Sequence, residues 1–332
     1  MRRIRAEYVF RVDSAWFSTD LLGRRYAFRR RDYDAAIEVP GDGTAFGDLL
    51  HSALKGFLLP SDTGRAPEGV KAVSALRISL VQSVELSSDR FESSRQLADF
   101  WRDGQPVAHA ILRQFVDWIR VRCGQAWVGI FGQRYEMLII GDKLGKAQGR
   151  VFDDESGQQF PVMISMGFGY IRTPPGGQVP VSSSDAEFLV RMLAESIEAP
   201  TPEMLLADAL HHASVVDPQP QRAVLLAAIA CETKIKSVLQ NRVSPEKAGL
   251  AELLVARPRS AAALFSEILK AAVGPSLKAS RPDLARRIEC LFQVRNRVAH
   301  SGEVPTLHEA DAAVSAAREV FEWLDGELSK EP

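Results

Sequence analysis

The sequence predicts an α+β protein in two parts: a β-rich α+β domain over residues 1–180 and an all-α helical bundle over residues 181–332. Three observations carry this. Before residue 180, short stretches rich in aromatic and β-branched residues alternate with turn signals, the pattern of strands. From Asp185 onward, apolar residues recur at helical spacing almost without a break. Between the two lies "RTPPGGQVPVSSS" (172–184), where Pro and Gly punctuate a linker and the Ser cluster suits the cap of a following helix. A chain of 332 residues is long enough for two domains with separate cores.

In the first part, "AEYVFRVDSAWF" (6–17), "KAVSALRISLVQSVEL" (71–86), "QAWVGIFGQRYEMLIIG" (125–141) and "QQFPVMISMGFGYIR" (158–172) are the expected strands. Two helices interrupt them, "AFGDLLHSALKGFL" (45–58) and "VAHAILRQFVDWIRVR" (107–122). In the latter Ile111, Phe115, Trp118 and Arg122 recur at helical spacing. "PGDGTAFG" (40–47) has glycines between strand and helix, but its spacing fits neither the dinucleotide fingerprint nor the phosphate loop, so it is expected to be a plain turn. In the second part, helices are expected at 185–198, 203–215, 220–241, 247–256, 260–272, 282–301 and 306–328. The last places Ala310, Ala313, Ala317, Val320, Phe321, Leu324 and Leu328 on one stripe, as a bundle helix requires.

Composition narrows the function. Net charge is −1, so the chain as a whole is no polyanion binder by charge alone. Its 31 Arg against 10 Lys favour planar, bidentate contacts with phosphate or carboxylate, although genome composition accounts for such a bias equally well. The opening "MRRIRAEYVFRVD" has no apolar run behind it, and no stretch approaches the roughly 20 apolar residues of a membrane helix. Cys123, Cys231 and Cys290 are odd in number and far apart, which argues against a disulfide framework and fits a cytoplasmic protein. Cys231 and Cys290 fall in apolar helical patterns and are expected to be inert core thiols. His211 and His212 are adjacent, diverge by about 100° on a helix, and are expected at the surface near a helix end rather than on one metal. No metal and no cofactor are expected.

Residues 1–31 hold nine Arg against three acids. In "GRRYAFRRRDY" (23–33), Arg24, Arg25, Arg29, Arg30 and Arg31 interleave with Tyr26, Phe28 and Tyr33, a combination of phosphate attraction and stacking that suits RNA. Strand alternation sends Tyr26 and Phe28 to one face and Arg25 and Arg29 to the other, which also describes an ordinary solvated hairpin.

The sharpest signal is "FQVRNRVAHSGEVP" (292–305). Arg-x-x-x-x-His alone is worth little: chance supplies about 0.6 copies in a chain with 31 Arg and 6 His. Requiring Asn after the Arg lowers that to roughly 0.003, since only Asn241 and Asn296 occur. "RNRVAH" lies in the penultimate long helix, with Ser301-Gly302 as the stop and a strongly amphipathic helix following. Guanidinium suits a phosphorane. Imidazole serves as acid or base near neutrality, and an amide can orient either. Asn296 and His300, four apart, share a helix face, whereas Arg295 and His300 are five apart, about 140° around the axis. One chain offers a single such His, while separate acid and base need two groups; a second subunit would supply the other. The bland alternative is that Arg and His merely cap a helix C-terminus.

"RNRVAH" and its surroundings, "LFQVRNRVAHSGEVPTLHEADAAVSAAREVFEWL", resemble the HEPN superfamily over roughly residues 200–328. The resemblance implies a ribonuclease that cleaves RNA without metal, with Arg295, Asn296 and His300 as catalytic residues; Arg297 beside them is a further candidate RNA contact. It implies a homodimer whose two motifs meet in one cleft, in the style of prokaryotic antiviral defence or toxin nucleases under a trigger or neutralising partner. The family also holds non-catalytic members, so an RNA-binding or dimerisation module is the alternative. Residues 1–180 resemble no family and are expected to sense, recruit or restrain. Finally, Glu232 and Arg295 each interrupt an apolar stripe: Leu225, Ala228, Ile235 and Leu239 on one helix, Leu284, Ile288, Leu291 and Val298 on the other. Opposite charges on core-facing stripes suggest a supporting Glu232–Arg295 pair.

Overall fold

The computed structural model describes residues 1–41, 68–126, 128, 137–138, 147–164, 180–213, 219–242, 265, 270 and 276–328. The expected turn at 40–47, the helix at 45–58 and the helices at 247–256 and 260–272 fall wholly or mostly outside these residues. The chain divides into two units, Met1–Ala199 and Pro200–Pro332.

Among the described residues, the first unit holds a seven-stranded sheet: β1 (Arg2–Ser18), β2 (Arg25–Arg30), β3 (Tyr33–Glu38) and β4 (Val70–Val84), then β5 (Met137–Leu138), β6 (Ala147–Asp153) and β7 (Gln159–Ile164). The order is β2-β3-β4-β1-β6-β7, with β5 also paired to β1, and every pairing is antiparallel. β1 runs beside β4 for its full length, with a register shift between Arg11 and Ala15. Its even positions Ile4, Ala6, Tyr8, Phe10 and Val12 are all buried in the core. That alternation is the strand signature read in "AEYVFRVDSAWF".

The core is closed by α1 (Arg90–Arg122), whose Phe100, Trp101, Ile111, Leu112 and Phe115 pack in the same cluster. Sequence placed this helix at 107–122 only, because Gly104 and Pro106 look like breakers. The structure explains Gly104: the Tyr8 ring lies against the helix there, and an added Cβ would overlap Tyr8 Oη. Tyr8 Oη donates to Trp101 O at 2.7 Å, so ring and helix are bonded as well as packed. Asp89 caps the unexpected N-terminal half by accepting from Glu92 N at 2.8 Å.

The expected boundary at 180/181 is corrected to 199/200. Helix α2 (Ser183–Ala194) belongs to the first unit, because its Leu189, Met192 and Leu193 are buried in the sheet–α1 core. Gln114 Nε2 of α1 donates to the carbonyls of Met192 and Ile197 at 3.0 and 2.6 Å. The Ser cluster does cap this helix: Ser182 and Asp185 form a reciprocal capping box.

The second unit is helical. It contains α3 (Thr201–Ala213), α4 (Pro220–Arg242), the short α5 (Leu277–Ser280), α6 (Pro282–Ser301) and α7 (Leu307–Leu328). One apolar cluster joins them, including Ala227, Cys231 and Ile235 of α4, Ile288 and Leu291 of α6, and Ala317, Val320 and Phe321 of α7. The protein is therefore α+β, a β-sheet unit followed by a helical one. Among the described residues, no helix is long and apolar enough to cross a membrane.

Candidate functional site

Helix α6 is built to bury one face and expose another. Leu284, Ile288, Leu291, Phe292, Val294 and Val298 are buried, and Pro282 occupies the first turn, where its missing N–H costs nothing. The helix stops where Gly302 adopts φ 65°, and the Gly302 N–H bonds Val298 O at 3.2 Å. This left-handed cap leaves His300 in the last turn, exposed, with Asn296 exposed one turn earlier and Arg295 half-buried.

The structure supplies what spacing alone does not. Arg295 Nη1 donates to Asn296 Oδ1 at 3.1 Å, so the guanidinium is drawn sideways toward the face that Asn296 shares with His300. The bond also fixes the amide, with its oxygen on Arg295 and its NH₂ left as a donor. His300 has no hydrogen bond or ion pair among the described residues, so neither its nitrogens nor the rest of the guanidinium is consumed by a structural partner.

Arg297 behaves differently. Its Nε lies 3.0 Å from Glu303 Oε1 and its Nη2 lies 2.8 Å from Glu309 Oε1. Glu303 chiefly, with Glu309, raises its pKa above the ordinary arginine value. Glu309 itself closes a capping box at the start of α7: its carboxylate accepts from Thr306 N at 2.8 Å, and its N–H donates to Thr306 Oγ1 at 3.2 Å. Gln221 Nε2 adds bonds to the carbonyls of Gly302 and Glu303 at 3.4 Å. Arg297 thus fastens the turn after His300.

The expected Glu232–Arg295 ion pair does not form among the described residues; Arg295 bonds Asn296 instead. On α4 the expected stripe residues Ala228, Ile235 and Leu239 are buried, but the buried face also takes in Ala227, Cys231 and Val238, and Leu225 and Glu232 are half-exposed. On α6, Val294 rather than Arg295 fills the core position. The buried charge of the bundle is Lys234, which sequence did not single out. Its Nζ meets Glu203 Oε1 of α3 at 2.6 Å and Asp325 Oδ1 of α7 at 2.7 Å, above the Phe321 ring. Burial works to lower the Lys234 pKa; hydrogen bonds to Asp325 and Glu203 outweigh it and hold the value above that of free lysine. An apolar-looking run, "AAIACETKIKSVL", hid it.

Two further expectations are corrected. His211 is buried, not at the surface, with its ring centroid 5.3 Å from that of His212. Cys290 is exposed on α6, about 100° from Leu291, whereas Cys123 and Cys231 are buried. Burial pushes the Cys123 thiol up to about 12 and raises Cys231 further, so both are inert. Among the described residues, no group of three or more His, Cys, Asp or Glu is placed to hold a metal ion.

The N-terminal arginines scatter. β2 alternates in exposure, with Tyr26 and Phe28 packed on the core, and Arg25 and Arg29 on the opposite face. Arg24 approaches Asp20 at 3.7 Å, Arg29 pairs with Asp34, and Arg30 bonds Leu193 O at 3.1 Å and Ser196 Oγ. Arg31 sits at the hairpin tip with φ 53°. The arginines are thus divided between the two faces of the hairpin and its tip, and Tyr26 and Phe28 are half-buried. No family model, curated protein or solved structure matches the chain.

Proposed function

We propose that the helical unit is a HEPN-type endoribonuclease that cleaves RNA by internal attack of the 2′-hydroxyl and needs no metal. The observation that carries this reading is the Arg295–Asn296 hydrogen bond, 3.1 Å, beside an unengaged and exposed His300 on the same helix end. His300 of one subunit removes the 2′-hydroxyl proton as the O2′–P bond forms. Arg295 offsets the charge that grows on the phosphorane oxygens. The P–O5′ bond breaks, and the imidazolium of a second subunit delivers a proton to the leaving oxygen. The products are a 2′,3′-cyclic phosphate and a 5′-hydroxyl, with no net change in protons. Asn296, its oxygen held by Arg295, donates its amide hydrogens to the phosphate or to the imidazole.

One chain brings one such His, so the mechanism requires a homodimer. Val304 (67% exposed) and Leu307 (51% exposed) flank the turn after His300 and give that turn apolar contact area for a second copy. Cellular defence against foreign nucleic acid is the setting in which such a nuclease fits. A cleavage assay on total RNA in EDTA tests the reading. Wild type cleaves, Arg295→Gln and His300→Ala lose at least a hundredfold, and Arg297→Gln keeps activity within a few-fold. Equal loss in all three variants, or no cleavage by wild type, contradicts it. In the latter case a non-catalytic RNA-binding module is the reading left.

A further inference from the structure

The sheet has a second face, turned away from α1, and its chemistry is unusual for a β-sheet. Register sets the odd positions of β1 in rows with β2, β3, β4 and β6. One row reads Arg29, Asp34, Val81, Arg5, Phe152 across the strands. Two residues along, the next row reads Ala27, Ala36, Ser79, Glu7, Arg150, and the one beyond reads Arg25, Glu38, Arg77, Val9. Two rows rich in charge therefore flank a row whose first three side chains are small. The result is a concavity of about 730 Å³ within the first unit. That volume lies within the range of about 300–1,000 Å³ typical of small-ligand sites.

Charge is packed tightly around it. Four arginines and four carboxylates line the concavity. Glu7, its side chain only 6% exposed, lies 3.2 Å from both Arg5 and Arg77. Arg77 also reaches Glu38 at 3.1 Å, and Arg5 reaches Asp154 at 3.2 Å while stacking over Phe152. Arg3 bridges Asp34 and Asp154 at 3.1 and 3.5 Å. Three arginines thus occupy all four carboxylates. Arg25, directly beside Glu38 in the register, pairs with none of them and stands exposed at the edge.

Stability does not ask for this arrangement. Desolvating an Arg–Glu–Arg triad costs several kcal/mol per ion, and an apolar replacement of equal volume is often neutral or stabilising. What the arrangement provides is a set of guanidiniums held rigid by carboxylates, around a trough of small residues, with Arg25 unpaired among the described lining residues. Rigid guanidinium forks match phosphate, and carboxylates beside them accept from hydroxyl and amine groups. RNA is a poorer fit: strand binding draws on a surplus of positive charge and on exposed aromatics, and here the lining charges balance, while Phe28, although it reaches the lining, is half-buried and packs against the core.

We propose that this face binds a phosphate-bearing small molecule of nucleotide size, with Arg25 as the phosphate contact and Ala27 and Ser79 in the floor beneath the rest of the ligand. The proposal concerns the sheet unit alone and does not depend on the ribonuclease reading. Its test is calorimetry on the full-length chain carrying His300→Ala, titrated with AMP, ADP, ATP, adenosine, inorganic phosphate and a single-stranded oligonucleotide. One or more nucleotides saturate at one per chain, and adenosine and inorganic phosphate bind at least tenfold more weakly. Arg25→Gln weakens nucleotide binding at least tenfold. Ala27→Trp, which fills the trough from an exposed edge position, abolishes it. Both variants keep the circular dichroism spectrum and melting temperature of the parent, since neither side chain supports the core. Absence of saturable nucleotide binding overturns the proposal, as does nucleotide binding indifferent to both variants. Phosphate binding as tightly as nucleotide overturns the assignment of size, and oligonucleotide binding that Arg25→Gln and Ala27→Trp abolish, with no nucleotide binding, assigns the face to RNA instead.

Discussion

Arg295 shows what a single side chain adds to a motif. On the sequence, Arg295 and His300 point about 140° apart, and nothing local explains how they serve one phosphate. In the structure Arg295 Nη1 donates to Asn296 Oδ1, one turn before His300 on the face the two share. The motif was legible because its residues are contiguous and chemically rare. The role of Arg297 was not legible, because Glu303 and Glu309 engage it only once Gly302 has turned the chain. Gly302 is itself testable: an added Cβ meets nothing within 4 Å, so Gly302→Ala is penalised only by the φ of 65°. A loss of about 1 kcal/mol in urea denaturation is expected, as for other left-handed positions. No loss would mean that the turn does not hold this conformation. At Gly104 the penalty is steric instead. Gly104→Ala costs about 1–3 kcal/mol through overpacking against Tyr8, and Tyr8→Phe recovers part of it. Strictly additive losses in the double variant would refute that contact.

Among elements, α4 is where sequence reading slipped and for a definite reason. Ala228, Ile235 and Leu239 of the expected stripe are buried, but the run of alanines widens the buried face and Glu232, read as part of it, stays half-exposed. The true stripe passes through Cys231, and the charge it carries inward is Lys234. That lysine ties α3, α4 and α7 through Glu203 and Asp325. Lys234→Met leaves Glu203 without its cation and costs about 2–4 kcal/mol, and adding Glu203→Gln restores most of it. Equal stability of the single variant and wild type would contradict this. Because the Lys234 pKa is raised on folding, its contribution is complete below the pKa of free lysine and disappears as pH rises through the folded value. Stability therefore falls at strongly alkaline pH in wild type, and less steeply in the double variant. The charged sheet face was hidden for another reason. Its members come from five strands, and only the pairing register brings Arg5, Glu7 and Arg77 together. The period of two in Arg3, Arg5 and Glu7 was the one trace on the sequence.

At the scale of the molecule, the α+β class and most helix positions followed from periodicity, which survives without any knowledge of contacts. The boundary did not. α2 has the same periodicity as the helices after it, and only its packing against α1 assigns it to the sheet unit. The account of function requires two copies of the chain. Val304→Asp with Leu307→Asp is expected to shift sedimentation from dimer to monomer and to reduce RNA cleavage in parallel. A wild-type monomer at all concentrations would remove the second imidazole and with it the two-His mechanism. The most direct test is chemical. RNA incubated with the protein in EDTA is examined for its new ends: 2′,3′-cyclic phosphate and 5′-hydroxyl termini, absent with His300→Ala, are the predicted result. Termini bearing 5′-phosphate, or the same ends produced undiminished by the His300→Ala chain, would contradict the mechanism assigned to Arg295, Asn296 and His300.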